Sequence, residues 1–124
     1  MFYIYRFTAK GVINVMKKFD RTDGTLLSAA GMQTLLDAGR ALDKKDILKG
    51  VQERVALKPD DWLGGKNGTP DWQLRVGLNL SMSQKHRGHV RNLGRGVWRL
   101  TASGKQHMLT PEFQKVWPSQ SRQV

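Results

Sequence analysis

Two short β-prone stretches follow directly after a long helix-like segment, and this arrangement is the feature that most constrains the fold. Residues 88–92 and 96–101 read as two strands, joined by a turn at Leu93-Gly94-Arg95. Strand alternation places Trp98 and Leu100 on the same face of the second strand. We therefore expect a β-hairpin whose large aromatic side chain anchors it to the rest of the protein.

Two amphipathic segments precede this region and predict the first two main helices. The first extends from Thr25, which can act as N-cap, to about Leu42, in one piece or two because Gly31 and Gly39 weaken it. Asp43 is the expected N-cap of the second helix. That helix places an apolar stripe at helical spacing on one face, made of Ile47, Leu48, Val51 and Val55.

The third main helix is predicted from Pro70 to Lys85, with Thr69 as its cap. Apolar residues occupy two sides of this helix, and they separate two polar stripes. One stripe contains Gln73, Gly77, Ser81 and Gln84, and the other contains Arg75, Asn79 and Ser83. Periodicity alone leaves open which stripe faces outward. For Arg75, a structural ion pair is the alternative to a role in binding.

Shorter elements are expected at both ends of the chain. Residues 1–8 are β-prone, and Val12, Val15, Met16 and Phe19 fit a short helix over residues 11–19. Residues 101–108 predict a short helix, and Thr110 with Pro111 predicts the start of a last one, ending near Trp117. The 124 residues suit one domain. We divide it into an extension (1–24), a central domain (25–108) and a short helix with a frayed tail (109–124).

Positive charge is concentrated in the second half of the chain. The net charge is +11, and residues 63–124 hold 10 Lys and Arg against 2 Asp and Glu, whereas residues 1–62 hold 11 against 8. Between Lys85 and Lys105 lie six cations and no acid. A basic face of this kind is typical of nucleic-acid binding, with an anionic membrane surface or a merely solvated basic face as alternatives.

Composition excludes several other classes. The chain contains no cysteine, so disulfides and thiolate metal sites are excluded, and a reducing, cytoplasmic location is expected. No apolar run approaches the ~20 residues of a membrane span, so no membrane partner is expected. We predict no catalytic centre, no metal and no cofactor. The spacing of His86 and His89 is poor for one-face metal ligation, and Thr101 and Ser103 have no adjacent base.

The order helix, helix, loop, helix, hairpin is that of an α+β winged helix-turn-helix. In that fold the third helix enters the DNA major groove and the wing lies along the backbone or in the minor groove. The sequence therefore predicts a protein that binds double-stranded DNA. The predicted contacts are Gln73, Arg75, Asn79 and Ser83 on the third helix, with Lys85, Arg87, Arg91, Arg95 and Arg99 at the base of the wing and in it.

Two segments also resemble a known family. RVGLNL at residues 75–80 and GHVRNLGRGVWRLTASGK at residues 88–105 resemble the N-terminal winged-helix domain of Mrr-type restriction endonucleases. The residues that match the end of the family's wing motif are Arg95, Gly96, Val97, Trp98, Arg99, Leu100, Thr101 and Gly104. The resemblance covers about residues 30–106, and Leu78 departs from it where an aromatic is common.

The resemblance implies a DNA-recognition module of a prokaryotic or phage-defence restriction system, reading a sequence or a modified base, with cutting left to a separate nuclease domain or subunit. The alternatives are a stand-alone transcriptional regulator and a winged helix that binds a protein. Exposed aromatic residues near the two ends would then form a partner or homodimer surface; these are Phe2, Tyr3, Tyr5 and Trp117.

Overall fold

The computed structural model describes residues 6–8, 11–13 and 20–118, which form an α+β fold with five α-helices and a three-stranded antiparallel sheet. The elements in chain order are β1 Arg6–Thr8, β2 Gly11–Ile13, α1 Gly24–Ala38, β3 Leu42–Asp43, α2 Lys44–Arg54, α3 Asp71–His86, β4 Val90–Gly94, β5 Val97–Leu100, α4 Ala102–Met108 and α5 Pro111–Val116. Of the helices in these described ranges, none has the length and apolar character needed to span a membrane.

Helix α1 is one continuous helix that ends earlier than predicted. Asp23, rather than Thr25, is its N-cap, because the Asp23 carboxylate accepts a hydrogen bond from the backbone N–H of Thr25 at 2.8 Å. Gly39 ends the helix with φ 66°, a left-handed conformation that glycine adopts without strain. Leu42, predicted as the last helical residue, lies in strand β3 instead.

Helix α2 begins as predicted, with Asp43 as N-cap accepting from the N–H of Asp46 at 2.9 Å. Its predicted apolar stripe is buried at Ile47, Val51 and Val55 and partly buried at Leu48. The helix crosses α1 at close range. A Cβ at Gly50 would lie 2.1 Å from Cγ2 of Thr34, so this crossing requires glycine.

Helix α3 extends over the predicted residues, although its first turn differs. Pro70, and not Thr69, occupies the N-cap, and no side chain caps the helix. Trp72, Val76 and Leu80 are buried in a core shared with α1 and α2.

The sheet has the strand order β3-β5-β4, with every pair antiparallel. Strands β4 and β5 form the predicted hairpin, and Trp98 and Leu100 are buried, as the alternation predicted. Strand β4 begins and ends two residues later than predicted, and the turn consists of Arg95 and Gly96 instead of residues 93–95, with φ values of 55° and 72°. Positive φ at two successive turn residues matches the twist of a two-residue hairpin.

The N-terminal residues form a small antiparallel pair, in which Phe7 lies opposite Val12. Residues 11–13 are therefore a strand, and the predicted helix is wrong there, because β-branched residues such as Val12 and Ile13 favour a pleated strand. Residues 14–19 of that predicted helix lie outside the described residues.

Helices α4 and α5 form close to the predicted positions. Thr101 and Thr110 are their N-caps. Trp117 is buried against the core rather than exposed, so the prediction that it forms part of a partner surface is wrong. The other aromatic residues of that predicted surface (Phe2, Tyr3 and Tyr5) lie outside the described residues.

Candidate nucleic-acid interface

One of the two polar stripes of α3 faces the interior, and Arg75 is its most firmly held member. Its Nη2 lies 2.6 Å from Oδ1 of Asp61, and its Nε lies 2.8 Å from Oδ2 of Asp71. Its Nη1 donates to the backbone oxygen of Thr22 at 2.6 Å. With three acceptors and only 17% of its side chain exposed, Arg75 is a structural residue, as the alternative interpretation predicted.

Asp61 is the fully buried partner in this network and belongs to the 3-10 helix Pro59–Trp62. Burial by itself would raise the pKa of this carboxyl. Hydrogen bonds from Thr22 and from the Lys58 N–H, together with the charge of Arg75, outweigh burial and hold the pKa of Asp61 below its ordinary value. The group is therefore a carboxylate at neutral pH, and it neutralises Arg75.

The rest of the Arg75 stripe is also held inside the fold. Nδ2 of Asn79 donates to the backbone oxygen of Gly24 at 3.1 Å, which ties α3 to the start of α1. Ser83 is only 7% exposed. Arg75, Asn79 and Ser83 therefore lie on the inward side of α3, where their internal hydrogen bonds or burial argue against the predicted contacts with DNA.

The outward face of α3 is more apolar than a helix that reads bases by hydrogen bonds would be. Leu78 is 60% exposed, and Leu74 and Met82 are also exposed, one turn away on either side. Ser81 and Lys85 lie on the same face, and Gln73 is half-buried beside it. Gln84 is occupied by an internal contact, because its side-chain oxygen accepts from the N–H of Asn92 in β4.

Lys44 brings a cation to α3 that sequence reasoning missed. A Cβ at Gly77 would lie 2.6 Å from Nζ of Lys44, so this ammonium group lies against α3 where the helix has no side chain. The backbone N–H of Lys44 donates to the oxygen of Gly96 in the hairpin turn at 3.1 Å. Lys44 therefore joins the start of α2, the middle of α3 and the hairpin turn.

The hairpin presents arginines on its outer face and at its turn. Arg91 lies directly opposite Arg99 across β4 and β5, and both are exposed. Arg95 is exposed at the turn. Like charges opposite each other on a sheet are destabilising, so this pair is not explained by stability.

We define the basic surface as the exposed residues Lys85, Arg87, Arg91, Arg95 and Arg99 together with the half-buried Lys44. Within residues 20–118, no carboxylate oxygen lies within 4.0 Å of a charged nitrogen of these six residues. The ion pairs found there involve Arg21, Arg54 and Arg75 instead. The acids therefore neutralise other parts of the fold, and the basic surface keeps its charge.

The histidines are arranged differently from a metal site. His89 and His107 stack with their ring centroids 4.2 Å apart and an angle of 18° between the rings. Within the part of the chain that the structure describes, no three His, Asp or Glu side chains are grouped closely enough to hold a metal ion.

Comparison of the chain with protein-family models, with curated proteins and with solved structures finds no match. The resemblance to the Mrr-type winged helix therefore stays a prediction from the sequence.

Proposed function

We propose that this protein binds double-stranded DNA as a winged helix, with the hairpin as its wing and α3 as the helix that faces the groove. The observation that carries the proposal is the basic surface, whose six cations have no neutralising carboxylate among the described residues. The order of the helices and the antiparallel hairpin supports it, because a winged helix requires both.

Attraction to DNA phosphates is the main contribution that these residues can make to the binding free energy. Each phosphate that a Lys or Arg neutralises releases counterions into solution. In a plot of the logarithm of affinity against the logarithm of salt concentration, each such contact makes the slope more negative by about 0.9. Six cations without neutralising carboxylates can therefore give strongly salt-dependent binding. Arg95 at the hairpin turn lies between Gly94 and Gly96, which have no side chains to keep a phosphate away.

We expect α3 to discriminate weakly between bases, and mainly through apolar contacts. The side chains of Leu74 and Leu78 can touch the methyl group of a pyrimidine in the major groove, whereas Gln73 and Ser81 can bond to base edges. We therefore propose binding driven by phosphate contacts, with a modest preference for sequence or base methylation. A role in a restriction or defence system is the setting that the sequence resemblance implies.

Fluorescence anisotropy with a short random duplex tests the proposal, using about 50 and about 200 mM salt to expose the electrostatic term. The double variant Arg91→Ala/Arg95→Ala should bind more weakly and with a smaller salt slope. The matched control is Lys49→Ala/Lys115→Ala, which removes two exposed charges from α2 and α5. Equal losses in both double variants, or no binding of methylated and unmethylated duplex by the wild type, would refute it.

A protein-binding module is the second candidate, favoured by the apolar face that begins α3. Trp62 and Leu63 are exposed just before the helix, and Leu74 packs so close to the loop that a Cβ at Gly65 would lie 2.4 Å from its Cδ1. Leu78 extends this face along the helix. An apolar contact hardly responds to salt, so complexes that persist unchanged at high salt would favour this candidate.

A further inference from the structure

A cleft lies between the start of α1, the second half of α3 and helix α5. Its volume is about 750 Å3. Sites for small ligands commonly enclose about 300–1,000 Å3. The cleft therefore has room for a small organic molecule.

The lining of this cleft carries more basic than acidic groups. His86, Arg87, His89 and His107 line it, and Glu112 is the one acidic side chain among its lining residues. Arg87 has no carboxylate within 4.0 Å among the described residues. Its guanidinium group is therefore available to an anion.

A buried hydroxyl group with no partner also lines the cleft. Ser83 is 7% exposed, and its Oγ has no hydrogen-bond partner among the described residues. Buried polar groups in proteins are nearly always hydrogen-bonded, so such an exception needs an explanation. Ser83 and Arg87 both line the cleft, and rotation of the buried Ser83 hydroxyl toward it would let one ligand oxygen accept from both side chains.

The remaining walls of the cleft are apolar and aromatic. Leu78, Met82 and Met32 line the apolar part of the cleft. His107 stacks on His89 on one side and meets the edge of Phe113 on the other, with centroids 5.6 Å apart and an interplanar angle of 74°. Burial, then the charges of His107 and Arg87, lower the pKa of His89, so its ring is neutral at physiological pH.

We propose that this cleft binds a small aromatic acid, with its carboxylate on Arg87 and Ser83 and its ring against the apolar walls. Arg87 supplies a charge-assisted hydrogen bond, which is stronger than a neutral one. The proposal needs no DNA, although the cleft shares Arg87 with the basic surface and Leu78 with the outward face of α3.

Nuclear magnetic resonance of the full chain without DNA tests the proposal, following the ring protons of His89 and His107 during titration with benzoate. Benzoate should give saturable shifts at both histidines. Benzamide, which lacks the charge, and cyclohexanecarboxylate, which lacks the flat ring, should each bind about tenfold more weakly or worse. Equal affinities for the three compounds, or the absence of saturation with benzoate, would overturn the proposal.

Matched variants separate this site from general attraction to a basic protein. Arg87→Gln should weaken benzoate binding about tenfold, because it removes the charged partner. Lys49→Gln removes one exposed positive charge from α2, outside the cleft lining, and should change the affinity by less than about twofold. Equal losses in both variants would show non-specific attraction and refute the site, without bearing on DNA binding.

Discussion

Nη2 of Arg75 lies 2.6 Å from Oδ1 of Asp61, and Asp61 is fully buried beneath it. This ion pair joins the middle of α3 to the loop that precedes the helix. The sequence predicts Arg75 as a DNA contact, but this ion pair makes it part of the internal structure. Removing Arg75 leaves the Asp61 carboxylate buried without a charged partner, which is far more destabilising than losing a surface pair.

Replacing Arg75 with Met should lower the free energy of unfolding by about 3 kcal/mol, because the Asp61 carboxylate loses its buried partner. Urea denaturation followed by circular dichroism measures this change. As control, Arg87→Met removes an exposed cation that has no ion pair among the described residues and should change stability little. Near-equal losses in the two variants would contradict the structural role of Arg75.

The cross-strand pair of Arg91 and Arg99 predicts opposite effects on stability and DNA binding. Arg99→Glu should raise the free energy of unfolding by about 0.2–1 kcal/mol, because it replaces repulsion across the strands with attraction. The same variant should weaken duplex binding and reduce the salt slope by about 1 or more, since it replaces a phosphate-binding cation with an anion.

Two assays on one protein sample decide this prediction: urea denaturation and duplex anisotropy over a salt series. Arg99→Gln is the intermediate control, which removes the repulsion without adding an attraction. A variant that became less stable and also lost DNA binding would indicate that Arg99 acts through folding rather than through phosphate contact.

Gly50→Ala should destabilise the protein although alanine is the better helix former by about 1 kcal/mol. The added methyl would meet Cγ2 and Oγ1 of Thr34 at 2.1 and 2.5 Å and would force α1 and α2 apart. Thr34→Ala in the same chain removes these two contacts but leaves the one to Cβ at 2.9 Å, so it should restore stability in part. Thermal unfolding of the two single variants and the double variant measures the coupling, and simple additivity would contradict the predicted contact.

Stability should fall as the pH drops below about 6.5, because the pKa of His89 is lower in the folded state than in the unfolded chain. The unfolded chain takes up a proton near its ordinary pKa, whereas the folded protein takes it up only at lower pH. His89 therefore contributes stability that is complete above the unfolded pKa and lost as the pH falls through the folded pKa. The titratable and charged groups that act on it are His107, whose ring stacks on it, and Arg87.

Melting temperatures between about pH 7.5 and about pH 5 measure this dependence. His89→Gln should flatten the curve in that window, because glutamine does not titrate. Wild-type and variant curves of the same slope would show that another group causes the fall.

The positions of the helices could be predicted largely from local chemistry. Asp43 and Thr110 cap helices as their side chains predict, because an N-cap is a contact within three residues. Strand β3 could not be predicted in this way. It has two residues, and only its pairing with Trp98 and Val97 makes it a strand.

The candidate surface was less predictable, because it depends on contacts between distant residues. Periodicity left both polar stripes of α3 as candidates, and the buried carboxylate of Asp61 decides which one faces inward. Lys44 shows no distinguishing signal in its own segment. The one sequence feature that points to this contact is Gly77, because a glycine in the middle of α3 leaves room for the Lys44 side chain.

The two-residue strand β3 also bears on how the chain reaches its native state. Its pairing of Leu42 with Trp98 joins residues that are far apart in sequence, across α2 and α3. Closing such a long loop costs chain entropy before the native contacts that stabilise it have formed. Pairing of this kind therefore slows folding. The helices and the β4–β5 hairpin can form early from local contacts, whereas β3 is far from β5 in sequence. The pairing of β3 with β5 should therefore be the late, rate-determining event of refolding.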